Sequence, residues 1–182
     1  MKNIKVWKKI KKSNYKSIKH LLSHLKRKKY ALSPWIINIF DNKKNNISIN
    51  NQSYDLYKIK VKDLGFKKAT KLKYIYKKLL SKNYALVPPV LALRTRLFYE
   101  EQKKGEWLRF ATPFNSMIDT DKVPHLPKLG KALKKYFIET YWSYPDAIFH
   151  PPSKFIIATN VFIGYCFLSV VTLDVNVQNA NM

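Results

Sequence analysis

From Phe155 to Leu173 the chain runs nineteen residues without a charged side chain. A stretch of that length must be covered on every side, either by lipid or by the rest of the protein. As a helix rising about 1.5 Å per residue it reaches about 28 Å, close to the roughly 30 Å hydrocarbon thickness of a bilayer. Its approach suits a membrane boundary: Trp142, Tyr144 and Phe149 are aromatic rings of the headgroup-seeking kind, and Lys154 can snorkel. Every Lys and Arg precedes the run, so the positive-inside rule assigns the long N-terminal part to a matrix or cytoplasmic side. The pattern predicts a single transmembrane helix over 155–173, with 174–182 as a short tail beyond it. Asn160, Gly164 and Ser169 would then face protein, because small and polar residues mediate helix–helix contact in lipid. A β reading competes. Leu173, Val175 and Val177 alternate with Asp174, Asn176 and Gln178, which is a strand signature, so a hairpin of 155–163 and 167–177 is the alternative.

Charge is as uneven as hydropathy. Residues 1–82 hold 24 basic and three acidic side chains, a net of +21, whereas 83–154 hold 11 and seven. The first half is therefore suited to phosphate-rich surfaces, nucleic acid or anionic headgroups. No acid occurs before Asp41. Within that stretch Ile18, Leu21, Leu22 and Leu25 fall on one helical face among lysines, giving a basic amphipathic arm of presequence type over 1–35.

The rest of the chain predicts an α+β fold. Residues 36–63 read as β: Ile36, Ile37, Ile39 and Phe40, then Ile47 and Ile49, then Tyr57, Ile59 and Val61 alternating with Lys58, Lys60 and Lys62. Helical spacing over 66–82 (Leu72, Ile75, Tyr76, Leu79, Leu80) completes a basic α+β module over 36–82. The region 83–154 reads as two further helices, 90–104 and about 128–142, around a loop holding Pro113, Pro124 and Pro127.

Little in the sequence speaks for catalysis. A lone Cys166 excludes a disulfide framework and any cysteine zinc site, and none of the four glycines forms a phosphate loop. His20 and His24 have the i, i+4 spacing of a helical metal pair but sit among lysines with no carboxylate nearby. Asp119 and Asp121 lack the other ligands of a calcium loop. Arg94 and Arg96, on an otherwise apolar helix, could clamp a phosphate or a carboxylate. No catalytic residue, cofactor or metal is expected.

Two resemblances extend this reading. Pro152-Ser153-Lys154-Phe155, followed by Phe162-Ile163-Gly164-Tyr165, resembles the membrane end of mitochondrial ATP synthase subunit f, with Leu126-Pro127-Lys128 and the aromatic Tyr136–Tyr144 stretch similar to that family's approach to the membrane. The resemblance implies a non-catalytic accessory subunit of the mitochondrial inner membrane, with other subunits and lipid as partners. Leu32-Ser33-Pro34-Trp35-Ile36 and Asp63-Leu64-Gly65-Phe66-Lys67 are similar in rhythm to a family of small-subunit ribosomal proteins. That likeness implies the alternative, an organellar ribosomal or other RNA-binding protein. Under it, Lys58, Lys60, Lys62, Lys67 and Lys68 contact phosphate.

Overall fold

The structure, a computed structural model, describes residues 4–159. Its centre is built by the strand β10, Lys154–Thr159. On one side β10 pairs antiparallel with β3 (Tyr54–Lys60); on the other it pairs parallel with β6 (Trp107–Phe110) and antiparallel with the short β5 (Tyr84–Ala85). β1 (Lys8–Ile10) continues the sheet beyond β3. Beyond β6 come β7 (His125–Ala132), β8 (Lys135–Trp142) and β2 (Ala31–Leu32), giving a mixed sheet of eight strands. A separate two-stranded ribbon joins β4 (Thr70–Lys71) to β9 (Ile148–Phe149).

Helices cover both faces of the sheet. α1 (Ile18–Arg27), α2 (Pro34–Asp41) and α4 (Val90–Phe98) close over one face, where Leu56, Leu108, Phe110, Leu129, Ile138 and Ile156 form the floor of the core. α3 (Leu72–Leu80) covers the other, against Ile59, Phe155 and Ile157.

That sandwich corrects the expectation of a membrane helix starting at Phe155. Successive β10 side chains alternate between the two cores, Ile156 and Ala158 into one, Phe155 and Ile157 into the other. A strand buried on both faces carries no polar alternation and reads as a continuous apolar run. Among the described residues no helix is long and apolar enough to cross a membrane. Asn160, Gly164 and Ser169, the remainder of the proposed span, and the rest of the alternative hairpin lie outside the described residues.

Three further expectations change. Residues 36–40 are helix, not strand: Ser33 accepts from the Ile36 N–H (3.3 Å) as N-cap, Pro34 takes the first helical position, and Ile36, Ile39 and Phe40 are buried at i, i+3, i+4. The helix expected over 128–142 is the β7–β8 hairpin. Leu129, Leu133, Tyr136 and Phe137 do match a helical face. However, Gly130 interrupts it, and the aromatic, β-branched run from Tyr136 to Trp142 suits a pleated surface. The helix from Val90 ends at Phe98, not at 104, while Gly105 (φ 75°) makes the turn before β6.

Gly130 has a second role. A Cβ there would come within 2.2–2.6 Å of three carbons of the indole of Trp107, its partner in the β6–β7 register, and Lys128 holds its ammonium 4.4 Å from that ring's centroid. Gly130→Ala is expected to cost about 1–3 kcal/mol through displacement of the ring. Urea unfolding measures it, and most of the loss should disappear when Trp107→Leu is added.

Candidate anion-binding surface

α1 owes its place to its apolar edge. Ser17 caps its start by accepting from the His20 N–H (3.1 Å), and Leu21, Leu22 and Leu25 are fully or almost fully buried. Lys19, Lys26 and Arg27 on the helix are exposed, as are Lys16 just before it and Lys28 and Lys29 just after it, and the helix holds no acidic residue. At its end the Lys29 N–H bonds the Lys26 carbonyl (2.9 Å) and the Tyr30 N–H bonds that of Leu25 (3.2 Å). This is a Schellman closure with Lys29 in the left-handed position (φ 59°) normally given to glycine.

A second left-handed turn faces this one. The two-residue connection Leu133-Lys134 closes the β7–β8 hairpin with both residues at positive φ (45° and 60°), the geometry that usually selects Asn-Gly. Together the two turns frame an open basin of about 490 Å³ lined by Lys28, Lys29, Tyr30, Glu100, Lys134, Lys135 and Tyr136. Four lysines and one glutamate line it, a formal net of +3.

Beneath this basin lies Arg96, with no solvent exposure. Its guanidinium sits 4.5 Å from the Tyr136 ring centroid, 5.6 Å from that of Tyr30 and 5.5 Å from that of Tyr99. Nη1 donates to Gln102 Oε1 (2.5 Å), and Gln102 in turn donates to the Glu106 and Leu129 carbonyls (both 3.0 Å). Nε and Nη2 have no hydrogen-bond partner among the described residues. Burial lowers the Arg96 pKa from its ordinary value while the surrounding tyrosines and the Glu100 charge raise it, and a guanidinium stays charged through such shifts. Tyr30 and Tyr136 direct their hydroxyls to Glu100: the first donates to its carboxylate (3.2 Å), the second to its backbone carbonyl. Burial, then the Glu100 charge, pushes the Tyr30 phenol up.

The lysines expected at a phosphate surface are dispersed. Lys58 lies against buried Glu106 (3.3 Å), which also receives Lys154 (2.7 Å) and the Tyr99 hydroxyl (2.7 Å). Burial pushes the Glu106 carboxyl up; the hydrogen bonds and nearby ammonium groups outweigh this and hold it below its ordinary range. Lys60 ends β3 half-buried, Lys62 is in the 3-10 turn Val61–Leu64, and Lys67 and Lys68 are exposed in the loop after it. These residues are spread over a strand, a turn and a loop. Those expected at a membrane boundary differ in exposure. Trp142 and Tyr144 are exposed, Phe149 is buried against Tyr141 and Phe155, and Lys154 is held by Glu106.

Other polar clusters serve the fold. Arg94 donates to three backbone carbonyls, Asn50 (2.6 Å), Gln52 (2.8 Å) and Lys11 (2.5 Å). His125, buried, bonds Asp119 through Nε2 (2.9 Å) and Thr140 through Nδ1 (3.1 Å). Asp119 also accepts the Asp121 and Val123 N–H groups, and together these bonds hold the carboxyl low despite burial. His24 Nδ1 faces the Tyr15 hydroxyl (2.6 Å). Among the described residues no group of three or more His, Cys, Asp or Glu side chains converges as a metal site.

Sequence reasoning picked out the α1 cations but missed Lys134 and Lys135, because the hairpin carries no Asn-Gly signal. It singled out Arg96 without locating the basin above it. No protein-family model, curated protein or solved structure matches this chain.

Proposed function

We propose that the protein is a non-catalytic RNA-binding protein that grips phosphates with the outer face of α1. The observation that carries this reading is the acid-free, exposed row Lys16, Lys19, Lys26, Arg27, Lys28 and Lys29, continued by Lys134 and Lys135 across the basin. Solvated cations unmatched by nearby carboxylates gain from releasing the counterions of a polyanion. The accessory-subunit reading drew its membrane contact from a helix beginning at Phe155, and β10 occupies that position.

Fluorescence anisotropy with a labelled single-stranded RNA, titrated across salt, tests the proposal. Wild-type affinity should fall linearly on a log–log plot against salt. Lys19→Gln/Lys26→Gln/Arg27→Gln, all at exposed positions, should bind at least about tenfold more weakly near 0.1 M salt. Its slope should be shallower by about 2, at roughly 0.7 per lost single-strand phosphate contact. Affinity insensitive to salt, or unchanged in the triple variant, would overturn the assignment.

A further inference from the structure

We infer that the basin between the two left-handed turns receives a terminal phosphomonoester of the bound RNA strand. This inference rests on the RNA-binding reading and adds what the basin selects. Its shape comes first: α1's outer face is convex and can follow a backbone, whereas the basin is concave and admits a projecting group. At about 490 Å³ it lies within the ~300–1,000 Å³ range of small-ligand sites.

Charge comes second. An internal phosphodiester carries one negative charge, while a terminal monoester carries about −1.5 to −2 near neutral pH and three strong acceptor oxygens. Lys28, Lys29, Lys134 and Lys135 against Glu100 leave the basin at +3, a better match for the dianion. Arg96 adds a buried cation directly behind the Tyr30 and Tyr136 walls. Among the described residues its guanidinium is hydrogen-bonded only through Nη1, to Gln102, and no carboxylate forms an ion pair with it; Glu100 acts on it only through space. A dianion in the basin would add countercharge to that of Glu100.

Backbone geometry comes third. Lys29 and Lys134, on opposite rims, both adopt the left-handed conformation that L side chains rarely take. The two turns bring residues from distant parts of the chain to one place: Lys28 with Lys29, and Lys134 with Lys135, line the same basin.

The test uses one RNA sequence in three forms: 5′-phosphorylated, 3′-phosphorylated and with hydroxyls at both ends, bound to the full-length protein by competition anisotropy. At least one phosphorylated form should bind about tenfold or more tightly than the hydroxyl form. Lys134→Gln/Lys135→Gln should abolish that preference. Lys77→Gln/Lys78→Gln, on α3 across the sheet, should keep it. Equal affinity for all three RNAs would overturn the terminal-phosphate site and leave the RNA-binding proposal standing. Absence of binding to any of them would overturn both. A preference that survives loss of Lys134 and Lys135 would place the selection outside the basin and overturn the inference.

Discussion

Ile156→Asp is expected to leave no folded protein. Ile156 is fully buried in β10, between β3 and β6, and under the three-helix face. Losing its burial costs about 2–3 kcal/mol, and burying a carboxylate with no partner adds several more. The total approaches the roughly 5–15 kcal/mol that holds a domain of this size together. Ile156→Ala should cost about 3 kcal/mol and remain foldable, by the cavity it leaves. Circular dichroism with urea unfolding separates the outcomes: a cooperative transition for the Ala variant and none for the Asp variant. A folded Ile156→Asp protein would mean that β10 is not central.

Arg94→Ala is expected to be nearly as damaging, although no acid is involved. The guanidinium ties the carbonyls of Asn50 and Gln52, ahead of β3, to that of Lys11, just after β1. The three carbonyls are only part-buried, so each left without a donor costs about 1 kcal/mol; the cavity left by the fully buried side chain adds to this, and the loss should reach about 3 kcal/mol or more. Arg94→Lys should recover only part of it, since one ammonium cannot reproduce the planar fork. Thermal melts of the three proteins should rank wild type, Lys, Ala. An Ala variant within about 1 kcal/mol of wild type would show that water substitutes for the guanidinium.

The same two residues mark how far sequence reasoning could go. Where one face was buried and the other wet, the period was legible: α1 from Ile18, Leu21, Leu22 and Leu25, α3 from Leu72, Ile75, Tyr76 and Leu79, and β3 from its alternating lysines. Where burial was complete on both sides, the period vanished. β10 then looked like a span, because hydropathy records how much is covered and not what covers it. For α4, burial of Arg94 and Arg96 could not be told from exposure, since their partners are carbonyls and tyrosines distant in sequence. The site was half legible for a similar reason. The α1 cations are local, whereas Lys134 and Lys135 reach them only through a hairpin whose turn residues, Leu133 and Lys134, are ones such a turn seldom uses.

Since β10 separates β1–β3 from β6–β7–β8–β2, the order of synthesis matters. Its residues emerge from the ribosome after those of every strand they join. Until then neither β3 nor β6 can gain its β10 partner, and both cores lack their shared wall. Pairings so distant in sequence are slow to form, and open edges of this kind invite association between nascent chains. The protein therefore has a vulnerable interval during its own production, one that closes only when the strand from Lys154 to Thr159 inserts.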